Sequence, residues 1–156
     1  MLVARMSRRV ILTICIALCV GAPLFGEFAK NTSNCRLLIE RSFTRVSGAK
    51  ATLTIDPLIR KGESFQGDYQ MKVTPFFFKS ETGKLEIFVS NDALAKATNG
   101  IPVEIIGTAL THGEEVKRKV NARATPRDKD RGELKVWFKV DERDMVFQTT
   151  YRLLDQ

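Results

Sequence analysis

The chain has little of what enzymes most often build sites from. It holds one histidine, His112, one tryptophan, Trp137, and three cysteines, Cys15, Cys19 and Cys35. With one histidine, and one cysteine beyond residue 26, a His/Cys metal site within the chain is essentially excluded. A cysteine–histidine nucleophile pair would need Cys35 and His112 to meet, and neither has a recognisable catalytic context. No serine sits in G-x-S-x-G, and neither a P-loop nor a dinucleotide fingerprint occurs. The sequence therefore names no catalytic, cofactor-binding or metal-binding residue. A lone Cys35 also leaves no intrachain disulfide, so stability must come from the core. Cys35 reads as a small buried apolar residue, with pairing between chains as the alternative.

What is present first is an address. Arg5, Arg8 and Arg9 precede an apolar run from Val10 to Val20, followed by Gly21-Ala22-Pro23. A positive start followed by roughly 7–15 apolar residues is the build of a secretory signal peptide. Residues 1–26 are read as that signal, and 27–156 as one secreted or periplasmic domain. The cleavage site is poor, since Pro23 follows Ala22, and a cut after Gly26 or Ala29 would have Leu24 or Glu27 at the third position before it. The alternative is an uncleaved anchor over 10–29, long enough for the roughly 20 residues a bilayer requires, with the domain outside the cytoplasm. In that case alone is a membrane partner expected.

Removing 1–26 takes away three arginines and no acids, leaving 22 basic against 18 acidic residues, so +7 falls to +4. That balance lacks the footprint of a nucleic-acid binder. The remaining chain is long enough for one core and too short for two ordinary domains.

From Ala51 onward the pattern alternates with period two, as half-buried strands do. Leu53 and Ile55, Tyr69 to Val73, and Leu85 to Val89 are the clearest runs. Asp92 is positioned to cap one short helix through Ala97, closed by Asn99-Gly100. Residues 36–46 are ambiguous between strand and helix, and 58–67 reads as a loop. Three hairpins follow. A turn at His112-Gly113 pairs Ile105 with Val120 and Ala109 with Val116. A turn at Glu142-Arg143 pairs Phe138 with Phe147 and Val140 with Met145. A third, across Ser80–Gly83, sets Phe76 and Phe78 inward. Seven or eight short strands of this kind predict an all-β fold, an antiparallel β-sandwich with one short helix.

Charge gives few candidates. Asp56, Asp68, Glu86 and Glu104 are the carboxylates an envelope glycan hydrolase would draw on, but nothing in the sequence brings two across a cleft. Asp128-Lys129-Asp130-Arg131 has alternating oxygen ligands, yet its interleaved cations oppose calcium, so it reads as a charged turn. Lys117, Lys119 and Arg123 form a basic stripe on one face, partly neutralised by Glu104. Arg118 has inward parity opposite Gly107 and so belongs near an open end of the core.

The sharpest candidate is Trp137. In Lys135-Val136-Trp137-Phe138-Lys139 the inward residues are Val136 and Phe138, which turns Trp137 outward between two lysines. An outward tryptophan stacks on a sugar or anchors a protein partner. Phe88 also lies on the nominally polar face of its strand. The expectation is an exported, non-enzymatic binding or surface-assembly protein whose partner, a protein or a glycan, meets Trp137, Lys135, Lys139 and Phe88. A carboxylate-dependent envelope enzyme is the alternative.

Overall fold

A computed structural model describes residues 35–140 and 143–154. The expected signal peptide and the alternative anchor lie outside them. The described strands are β1 (Arg36–Ile39), β2 (Ser42–Val46), β3 (Ala49–Ile55), β4 (Leu58–Lys61), β5 (Ser64–Thr74), β6 (Glu81–Phe88), β7 (Val103–Thr111), β8 (Arg118–Pro126), β9 (Arg131–Val140) and β10 (Arg143–Leu154). One helix, α1 (Asn91–Thr98), separates β6 from β7.

All pairings are antiparallel, and the first four strands are one bent hairpin. Arg36 faces Ile59 and Val46 faces Ala49 in a single register, closed by Ser47 and Gly48 at φ 49° and 80°. Two residues of positive φ match the right-handed twist of the flanking strands. Next to β5 this hairpin carries one residue too many: Ile55 faces Tyr69, whereas Ile59 faces Gln66. The excess falls at Asp56-Pro57, a place where a proline without an N–H is tolerated.

The sheet closes into a barrel of eight staves, not the expected sandwich. β5 pairs with β3 and β4 along one edge and with β6 along the other, while β10 joins β9 to β1. Closure is possible because β5 and β10, at 11 and 12 residues, are long enough to serve several neighbours. The strands of the closed ring are thereby paired on both sides, which removes most of the exposed edges of an open sandwich, while β2 is laddered to β3 alone.

Alternation decides which residues fill the barrel. Leu53, Phe65, Met71, Val120, Phe138 and Phe147 are fully buried within it. Lys84, Glu104, Lys119, Arg123 and Lys135 point outward, so the wall is charged and the interior apolar, the reverse of a barrel that spans lipid. Cys35 is buried at the start of β1. Residues 36–46, ambiguous in the sequence, form the strands β1 and β2 with a break at 40–41.

The two ends of the barrel differ. At one, α1 packs Leu94, Ala93 and Ala97 against the core. Ser90, rather than Asp92, caps this helix, its Oγ accepting from the Ala93 N–H at 3.1 Å. Asn99 and Gly100, the latter at φ 79°, end it as expected. Beneath α1 lies a wholly apolar cavity of about 50 Å³. At the other end four inward polar side chains meet. Arg118 donates to Glu81 Oε1 at 2.6 Å and to the Tyr69 hydroxyl at 3.1 Å, and it also bonds Thr111. Arg118 does stand at an open end, but opposite Ala109, not Gly107.

That difference is one instance of a two-residue shift. Ile105 faces Ala122 and Gly107 faces Val120, because residues 112–117 form a longer connection than a two-residue turn. Val116 consequently lies in that connection and is exposed. Likewise Phe138 faces Met145 and Val136 faces Phe147, since Arg143 is itself paired with Val140. Inward and outward sets are unchanged, because a shift of two preserves parity.

Two other expectations fail. Residues 58–67 are mostly strand, with only a tight turn around Gly62, at φ 62°. Gly67 lies against buried Leu58 inside β5, where an added Cβ would come within 2.7 Å of a Leu58 methyl and push it aside. The third hairpin pairs Ser64–Met71 with Glu81–Phe88, so Phe76 and Phe78 are not inward. The parity of Met71 and Val73 carries β5 to Thr74, and Phe77–Lys79 becomes a single 3-10 turn.

Candidate functional site

The barrel's register places the sequence candidates relative to one another. On the outer wall Phe88 faces Ile106, Ile106 faces Asn121, Asn121 faces Trp137, and Trp137 faces Val146. These five residues form one lateral row across β6, β7, β8, β9 and β10. Adjacent strands are about 4.8 Å apart, so Phe88 and Trp137 lie roughly 14 Å apart along it. Phe88 is 50% exposed and Ile106 54%, whereas Trp137 and Val146 are half-buried. Four apolar side chains broken by one asparagine is an unusual content for a wall whose other rows are charged.

Cations border the row on both sides. Arg123 and Lys135 are cross-strand neighbours on one flank, Lys119 and Lys139 stand on the other. Glu86, Glu104 and Asp144 are the acids of those flanks; Glu104 is engaged by Arg123 at 3.5 Å and Asp144 faces Lys139. The Lys135 ammonium lies 5.2 Å from the centroid of the Trp137 ring. One side of the indole is thus associated with a cation, in the geometry of a cation–π contact. Lys135 and Lys139 are exposed, as outward positions flanking an inward Phe138 must be.

Ile106, Asn121 and Val146 were absent from the sequence candidates. Ile106 carried a usable signal, since it breaks the polar alternation of β7 as Phe88 breaks that of β6.

The remaining chemical candidates are dispersed. Asp68 is paired with Lys84 at 2.6 Å, Glu86 accepts from Gln66 Nε2 at 2.7 Å, and Glu104 pairs with Arg123. All three lie on the outer wall, and Asp56 is exposed at the β3–β4 bend. His112 is exposed, its Nδ1 3.3 Å from Thr82 Oγ1. Asp128 is taken up by Arg131 at 2.6 Å, as a charged turn requires.

The polar end has distinct electrostatics. Burial, with the nearby Glu81 charge, pushes the Tyr69 hydroxyl above its ordinary value despite Thr111 and Arg118 acting the other way. Burial alone raises Tyr151. For Arg118, burial disfavours the charge, but the hydrogen bond and charge of Glu81 outweigh it and the net shift is upward. One Arg118 terminal nitrogen serves the carboxylate and both hydroxyls, while its Nε, 4.0 Å from Glu114 Oε2, is buried without a hydrogen bond.

The interior offers little room. A cavity of about 50 Å³ is a third of the roughly 150 Å³ that holds benzene. Compared with protein-family models, with curated proteins and with solved structures, the chain gives no match.

Proposed function

We propose that this protein is an exported, non-enzymatic binding module, and that its partner is a protein surface with an apolar strip and an acidic rim. The carrying observation is the single row Phe88–Ile106–Asn121–Trp137–Val146, bordered by Lys119, Arg123, Lys135 and Lys139. An aromatic anchor amid apolar neighbours with charges at the margin has the anatomy of an interface core and rim. The flanking cations favour acidic partners and raise their association rate. A sugar is the less suitable occupant, because Lys135 already lies against the indole ring and the wall is convex. The export component rests on the arginines and apolar run of residues 1–26.

The test is complex formation in the native source with two variants. Trp137→Ala removes the anchor, and an anchor of about 2 kcal/mol or more implies roughly thirtyfold weaker binding. Lys135→Glu/Lys139→Glu reverses the rim and slows association, most strongly at low salt. Both variants retain a native melting transition on this reading. Unaltered complex recovery with both would overturn it.

A further inference from the structure

The three phenylalanines displaced from the core suggest a second surface, at the end of the barrel far from α1. Phe76, Phe77 and Phe78 follow β5 in a single short turn and are 42%, 71% and 80% exposed. Phe76 and Phe78 touch edge to face, with centroids 6.0 Å apart. Their neighbour is the tip of the β2–β3 hairpin, because Lys50 pairs with Thr74 and Thr52 with Lys72. The same hairpin carries another exposed ring further from its tip, Phe43 opposite Thr52, with the Lys50 ammonium 4.4 Å from its centroid. Over 42–55 and 69–80 the chain holds Arg45, Lys50, Lys72 and Lys79 and no acidic residue. Glu81, next in sequence, is turned inward to Arg118. Among the described residues the acids of this barrel end are Glu114 and Glu115, on the 112–117 connection on the other side of β6, and Asp144 at the start of β10, where it faces Lys139.

We infer that this aromatic, cationic tip docks on an anionic lipid surface. Three such rings offer on the order of 300–500 Å² of exposed aromatic area. That is short of the roughly 800 Å² per partner of a standard protein interface, and a convex tip supplies no complementary walls. A bilayer interface demands neither. It accepts aromatic rings at headgroup depth and attracts adjacent lysines through its negative surface potential. This surface is separate from the Trp137 row and does not depend on it.

The full chain contains the apolar run Val10–Val20, which can itself enter lipid, so the readout must be local. Trp137 is the sole tryptophan, and Trp137→Phe therefore leaves a silent background. Phe78→Trp and, as a wall control, Phe88→Trp are introduced into it separately. Each is mixed with vesicles of phosphatidylcholine alone or with phosphatidylglycerol, carrying brominated acyl chains. The expected result is a blue shift and bromine quenching for Phe78→Trp on the anionic vesicles, reduced by salt, and neither change for Phe88→Trp. Replacing Lys50, Lys72 and Lys79 by glutamine should abolish the preference for phosphatidylglycerol. Should Trp137→Phe fail to fold, the same difference is read between native protein and Phe78→Trp with Trp137 retained. An unquenched tryptophan at 78 overturns the inference, as does equal quenching at 88. A concentration-dependent blue shift at 78 without vesicles overturns it too, in favour of a second copy of the chain at the tip.

Discussion

Replacing Phe138 with alanine separates the two faces of β9 most cleanly, because its neighbours in sequence are the outward Trp137 and Lys139. Phe138 is 1% exposed and is packed by Tyr69 at 5.8 Å and by Phe147 at 6.2 Å, the latter edge to face. Truncating a buried phenylalanine costs about 3–5 kcal/mol through lost transfer energy and the cavity left behind. Two aromatic contacts are lost with it, each worth about 0.5–1.5 kcal/mol beyond area, which favours the upper half of that range. For a domain of this size the melting temperature should fall roughly 10–20 °C. Lys139→Ala, on the exposed face, should stay within about 0.5 kcal/mol. Trp137→Ala, on a half-buried outward side chain, should fall between them and much nearer Lys139. Chemical denaturation of the three variants with equal slopes provides the comparison. A Trp137→Ala loss as large as that of Phe138→Ala would refute the assignment of Trp137 to the wall.

Gly83→Ala should destabilise by about 1–3 kcal/mol, because its Cβ would run into the Leu110 carbonyl and the Tyr69 ring; a native denaturation midpoint would contradict the close approach of β6 and β7. Glu81→Ala strands the Arg118 guanidinium, whose side chain is only 21% exposed, and should cost about 1–3 kcal/mol, with Glu81→Gln milder because it keeps an acceptor. Equal midpoints for wild type and Glu81→Ala would dismiss the polar cluster as a stabilising feature. Burial raises the hydroxyls of Tyr69 and Tyr151 above 10.0, so the folded state holds these protons more tightly than the unfolded chain. Their stabilisation is fully present below about pH 10 and is lost as pH climbs through the folded-state values. Tyr69→Phe/Tyr151→Phe should flatten that alkaline decline in melting temperature, and an equally steep decline would assign it to other groups.

Which side chains face inward was legible in the sequence, because parity is a local property. Phe138, Phe147, Val120 and Leu85 followed their alternation into the core. Register was not, since both hairpins could slip by two residues without exposing an apolar face. Only the connections decide that, and Glu142-Arg143 has no strong turn residue while 112–117 is longer than a turn. Closure was illegible for a different reason. It depends on β10 reaching β1, more than a hundred residues away, and on β5 having two partner edges. Phe76 and Phe78 misled because aromatic residues in alternation resemble a strand, yet the inward parity set by Met71 and Val73 prevailed and Pro75 ended the ladder. Glu81 carried an overlooked signal, sharing the inward parity of Leu85 and Ile87 as a natural partner for inward Arg118. The candidate site was half legible. Trp137 and its lysines came from one strand, but their alignment with Phe88 required the registers of three successive strand pairs.

The central claim is that one side of this barrel wall meets a partner, and site-specific photocrosslinking tests it most directly. A photoreactive residue at Asn121, between Ile106 and Trp137, should yield a discrete crosslinked species in the native source, lost with Trp137→Ala. The same residue at Ile59, exposed by 48% on β4 diametrically across the barrel from β8, should yield none. Crosslinks of equal yield from both positions, or none from Asn121 under conditions where the folded protein is present, would contradict the account.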